Sequence, residues 1–238
     1  DLMLTLGEAY TPTYQDMSNA NNEYRCFALE HGQDAKFYIT AMHPIVDSPE
    51  IVHHVVLAKT SRDKLDPGVA QASGKDCIDD MGALGDFGDG GGIIGAWAPG
   101  MDPVVFDGAG LEINADDVFI LQMHYYSSGA QTDGLSDKSG YAMKIADTVR
   151  NEILMAPFGK FDFQIPPNDD NYSETAELDL PVPITLWGAF PHMHVLGKSY
   201  QMEVGAAGEE TCLLRGDRYD FDNQLTYMYK EPVYIPGG

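Results

Sequence analysis

Residues 51–57 read Ile51-Val52-His53-His54-Val55-Val56-Leu57. The five apolar residues are β-branched or leucine, the composition of a buried strand. The strand is expected over about residues 51–60, after a connection bracketed by Pro44 and Pro49. Two adjacent histidines are not natural filler for such a strand. Neighbours on an ideal strand point to opposite faces. Both rings can reach one metal ion only if the strand ends, twists or bulges there. A departure from a regular ladder is therefore expected at 53–54.

Two further runs share this character. Phe119-Ile120-Leu121-Gln122-Met123-His124-Tyr125-Tyr126 reads as part of a strand from about Val118 to Ser127. Ala189-Phe190-Pro191-His192-Met193-His194-Val195-Leu196-Gly197-Lys198 holds a His-x-His pair. As a strand, it would place His192 and His194 on one face, about 6.6 Å apart along the backbone, with Met193 opposite. Five of the seven histidines fall in these three runs, while His31 and His43 lie outside and read as surface or structural. Neutral imidazoles converging this way suit copper, zinc, iron or nickel.

The rest of the chain reads as short strands punctuated by Gly and Pro. Strands are expected at Tyr24–Leu29, Lys36–Met42, Ile93–Gly100 (ending in a turn), Tyr141–Ile145, Glu152–Pro157, Lys160–Ile165, Ile184–Leu196, Ser199–Val204 and Glu210–Leu214. No stretch holds a sustained helical period. The pattern is that of an all-β sandwich or barrel. The 238 residues suit one large domain or two, and a boundary near Ala146–Arg150 divides the chain into 1–147 and 148–238. Gly85-Asp86-Phe87-Gly88-Asp89-Gly90 imitates a phosphate or calcium loop, but lacks the Lys-Ser/Thr of one and the closing Glu of the other.

Fourteen basic residues stand against 37 acidic ones, a net charge of −23. That disfavours nucleic acid and anionic membranes as partners. No apolar run approaches the roughly 20 residues of a membrane span, and no N-terminal signal-like segment is present; because the chain opens at Asp1 on Leu2-Met3-Leu4, a processed N-terminus is the expectation. The expectation is a secreted, extracellular or periplasmic protein. Three cysteines do not fix a disulfide pattern. A Cys26–Cys77 bridge would close a loop of about 50 residues, worth about 3–4 kcal/mol in the chain-entropy picture. Cys212 is then left over, either unpaired or joined to something outside this chain.

Order and context of the histidine motifs resemble a known family. A His-His pair on an apolar strand is followed by Gln122-Met123-His124-Tyr125, then by His192-Met193-His194-Val195-Leu196-Gly197-Lys198. Together they are similar to the copper type II, ascorbate-dependent monooxygenases, the family of dopamine β-monooxygenase and peptidylglycine α-hydroxylating monooxygenase. The resemblance runs from about residue 24 to the end. It implies two tandem jelly-roll β-sandwich domains, the second stopping short of completion at its C-terminal end. It also implies two coppers, with ascorbate as reductant, O2 as co-substrate and a small organic molecule as substrate. His53, His54 and His124 would match the electron-transfer copper. His192 and His194 would match two ligands of the oxygen-binding copper, whose third ligand in the family is a downstream methionine.

No residue here matches that methionine. Met155, Met193, Met202 and Met228 read as core rather than ligands. Tyr234-Ile235-Pro236-Gly237-Gly238 reads like the approach to another strand. The expectation is a fragment, C-terminal strands supplied from elsewhere, or an altered second site. The peptide-processing branch grips a substrate carboxylate with an arginine two residues before the His-x-His. Phe190 stands there, so such a substrate is not expected.

Other readings stay open. Three histidines with an open position also make a zinc site. Gln122 should share a face with His124, either orienting a ligand or meeting solvent. Tyr125 and Tyr126 read as packing. The alternatives to a monooxygenase are a non-catalytic copper-binding protein and a structural or assembly subunit, as a homo-oligomer or completed by a strand-donating partner chain.

Overall fold

The computed structural model describes residues 1–14, 21–77, 92–129, 131–160, 162–193, 196–206, 208–221 and 223–237. The Gly85–Gly90 loop and His194 lie outside them. Described regular structure is almost wholly β, as the sequence pattern requires, and the sheets are open. The front of the chain forms two facing sheets. One contains β1 (Leu2–Thr5), β10 (Gly140–Ala146), β3 (Phe37–Ile45), β8 (Ala109–Ile113) and β11 (Asn151–Ile153) in that order, with β7 (Val104–Val105) also on β3. The other contains β5 (Lys75–Asp76), β2 (Asn22–Leu29), β9 (Asp117–Tyr126), β4 (Val52–Ser61) and β6 (Gly92–Trp97).

Strand alternation builds the core between them. On β9, Phe119, Leu121, Met123 and Tyr125 point inward and meet Phe37, Ile39, Met42, Leu111, Ile113 and Tyr141 from the opposite sheet. The other face of β9 carries Ile120, Gln122 and His124. Ile120 packs in a small second cluster with Ala58, Val69 and the disulfide-bonded Cys26 and Cys77. With apolar cover on both sides, β9 is buried almost throughout, which explains its nearly unbroken apolar sequence.

The rear of the chain is less regular. β12 (Ile184–Ala189) pairs with β15 (Tyr227–Ile235), and β13 (Tyr200–Val204) with β14 (Thr211–Gly216), both antiparallel. Trp187 and Met228, from the first of these pairs, pack against the front core. Three expected strands are shorter or absent. Only Asn151–Ile153 of the Glu152–Pro157 region is a strand, pairing in parallel with β8, and the described residues of 160–165 are irregular. Prolines punctuate this segment, and Leu154, Phe158, Phe163 and Ile165 are exposed without an opposing sheet to bury them. The strand expected over Ile184–Leu196 stops at Ala189. Pro191 lacks the N–H that a ladder needs, so His192 sits in a loop rather than on a strand face. No helix among the described residues is long and apolar enough to cross a membrane.

Candidate metal centre

The His-His pair lies where β4 meets the end of β9. Val52 pairs with Tyr125 and His54 with His124, so His53 is an extra residue on β4. This bulge resolves the parity problem. Val52 and Val55 both enter the core, and the two residues between them both face outward. The outward face of β9 supplies His124 opposite them. The ladder therefore departs from regularity where the sequence required it.

The three imidazoles converge. Their ligand nitrogens all lie within 4.8 Å of one another. His54 Nδ1 is 3.3 Å from His53 Nδ1 and 3.2 Å from His124 Nδ1. Two nitrogens each about 2.0–2.1 Å from one ion, at a tetrahedral angle, stand about 3.3–3.4 Å apart. The two spacings at His54 thus match nitrogens sharing a single ion such as copper or zinc. His124 is buried, while His53 and His54 are partly covered.

Burial, then the neighbouring charges of His53 and His192, push the His54 pKa down to about 3. Burial, then His54 and His53, push that of His124 down to about 2. Both rings are neutral at ordinary pH, as ligation demands.

Two residues of β2 that the sequence did not single out complete this centre. Asn22 Oδ1 lies 2.6 Å from His124 Nε2, and the Tyr24 ring stacks on the His124 ring. Asn22 lies ahead of the strand expected from Tyr24; only the register of β2 against β9 brings it here. Gln122 shares the outward face with His124, and its amide donates to Cys77 Sγ at 3.7 Å. Its described polar contact is with the Cys26–Cys77 disulfide. Cys212 is exposed and outside any disulfide.

In the rear half, His192 Nδ1 meets Gln224 Oε1 at 2.6 Å, and the Gln224 amide donates to the Phe221 carbonyl at 2.9 Å. The amide oxygen then accepts the Nδ1 proton, and Nε2 of His192 carries the lone pair. Tyr219 clasps Met193, accepting from its N–H at 2.9 Å and donating to its carbonyl. Gln224 lies in a segment with no sequence pattern to mark it. Phe190 lies beside His192, its ring nearly parallel at 6.2 Å. His31 is buried against Phe37 and Phe119, and His43 stands in β3 opposite Ala142; neither joins the cluster. Tyr125 is core, its hydroxyl donating to the buried Asp137.

No curated protein matches the chain. The family model described as copper type II ascorbate-dependent monooxygenase, N-terminal domain, matches residues 11–132, just over half of the chain and the part that contains His53, His54 and His124. A bulged His-His pair and a facing histidine, within a two-sheet front half matched over this span, give the chain its place: it belongs to the copper type II ascorbate-dependent monooxygenase family.

Proposed function

We propose that the protein is a copper-dependent monooxygenase that hydroxylates a C–H bond of a small organic substrate, using O2 and ascorbate or a similar reductant. The observation that carries this reading is the bulge at His53, which turns two imidazoles of β4 toward the one on β9 in a chain of this family. In this reading His53, His54 and His124 hold the copper that stores and delivers an electron. His192 and His194 hold the copper at which oxygen is used. Copper cycling between its +1 and +2 states supplies one electron per metal, and the hydroxylation consumes two.

The chain's own residues do the rest. Burial keeps the His54 and His124 rings neutral, so their lone pairs need no deprotonation before ligation. Gln224 holds His192 by its Nδ1 side, and Tyr219 anchors the loop next to it. Phe190 presents an apolar ring beside His192, which fits a substrate without a carboxylate. The functional division is into a front unit over 1–147, with β11 reaching back to its sheet, and a rear unit over 148–238. The Cys26–Cys77 disulfide supports an oxidising, extracytoplasmic setting.

The test is copper titration followed by turnover. Two coppers per chain, with ascorbate-dependent O2 consumption, are expected. His53→Ala should lose one copper and the electron transfer that depends on it. One tight copper without O2 consumption would make the protein a non-catalytic copper binder. Preference for zinc at the three-histidine centre would overturn the redox reading.

A further inference from the structure

We infer that Asn22 is the positioning residue that fixes which nitrogen of His124 carries the proton, and so keeps the other nitrogen ready for metal. The inference deepens the copper reading above and rests on it for its metal arm. A neutral imidazole has one N–H and one lone pair. The Asn22 amide oxygen has no proton to give, so its 2.6 Å contact with Nε2 requires the proton there. Nδ1 is then the acceptor, and Nδ1 is the atom that faces His54 Nδ1 at 3.2 Å. With the proton on Nδ1 instead, His124 would hydrogen-bond to His54, and a ligand position would be closed.

The acceptor is held in place before any metal arrives. Asn22 pairs with Tyr126 in the ladder, and the carbonyl of Asn21 accepts from the N–H of Ser127 at 2.8 Å. The next side chain, Glu23, is buried, accepting from Tyr10 Oη and, at 2.8 Å each, from the N–H groups of Thr13 and Tyr14. Tyr24 closes the arrangement by stacking on the ring that Asn22 holds. The start of β2 is thus a rigid template for one ring. An amide suits the task because it accepts the proton's bond without adding charge. A carboxylate would accept it too, but would push electron density onto the ring and favour the oxidised metal.

The experiment compares the parent protein with Asn22→Leu and Asn22→Asp. In the metal-free, histidine-labelled proteins, long-range proton–nitrogen NMR reads the tautomer directly. The parent and Asn22→Asp should show His124 as the Nε2–H form, and Asn22→Leu should show a mixture. Competition with a Cu(I) chelator should find Asn22→Leu about 10- to 100-fold weaker and Asn22→Asp close to the parent. The copper reduction potential of Asn22→Asp should fall below the parent's, a change that a purely structural role would not produce. A pure Nε2–H tautomer in Asn22→Leu, with parental Cu(I) affinity, would overturn the inference. So would an unchanged potential in Asn22→Asp, which stands as the test if the leucine variant does not fold. If the parent itself binds no copper, the monooxygenase reading fails, and the tautomer measurement still decides the role of Asn22.

Discussion

The phenol ring of Tyr24 lies flat on the imidazole of His124, with centroids 4.0 Å apart and planes 7° from parallel. The stack limits rotation of a ring whose edge, in the proposed copper reading, points at a metal. Aromatic pairs of this kind contribute about 0.5–1.5 kcal/mol beyond their burial. Tyr24→Phe keeps the stack and should retain copper affinity. Tyr24→Ala should weaken copper binding by roughly tenfold, as read by chelator competition. Equal affinity in the two variants would show that the stack does not position the ring.

The depressed pKa values of His54 and His124 make the metal-free protein sensitive to acid. Both rings have folded values well below the unfolded value, at about 3 and about 2. Between those values and about 6.5 the unfolded chain binds protons that the folded chain does not. This stability is fully present above pH 6.5 and is lost as pH falls toward the folded values. The slope is about 1.4 kcal/mol per pH unit for each ring. The urea midpoint of chelator-treated protein should therefore drop between pH 7 and pH 5. Identical midpoints at the two pH values would contradict the burial argument.

Cys26 and Cys77 are 51 residues apart and close the loop that covers the outward face of β2 and β9. Loss of that crosslink should cost about 4 kcal/mol in the chain-entropy picture, and Gln122 would lose its sulfur partner. Cys26→Ala/Cys77→Ala should show a lower denaturation midpoint and weaker copper binding together. A midpoint lowered with copper affinity intact would separate the disulfide from the metal centre.

Gly188 lies against β15, where an added Cβ would fall 2.5 Å from the Tyr227 carbonyl oxygen and 2.8 Å from Met228 Sδ. Gly188→Ala should push β12 and β15 apart and lift Trp187 from the front core. The expected cost is about 1–3 kcal/mol. In a Trp97→Phe background, Trp187 emission should shift to longer wavelength. Unchanged emission and stability would mean that the β12–β15 pair absorbs the methyl group.

The sequence carried the front of the molecule well. The runs around 51–60 and 118–127 are β-rich and bounded by turn residues, and both became central strands of one sheet. The need for some departure from a regular ladder at 53–54 followed from parity; that it takes the form of a bulge is seen only in the register of β4 against β9. Asn22 and Gln224 were invisible for a different reason. Their roles depend on strand register and loop closure, which no local pattern encodes. In the rear half, apolar residues such as Phe163 and Ile165 imitate strand alternation, yet among the described residues no neighbouring strand pairs with their backbone. The strand expected over Ile184–Leu196 ends at Ala189 because Pro191 has no N–H to give a ladder, a constraint that the apolar residue types around it conceal.

The irregularity in β4 sets local order against purpose. Deleting one residue at 53–54 would heal the ladder, give β4 an uninterrupted run of paired neighbours, and leave a single imidazole beside β9. Selection for a sturdier sheet would thus dismantle the triad. The imperfection is what lets β4 present two imidazoles to the one on β9.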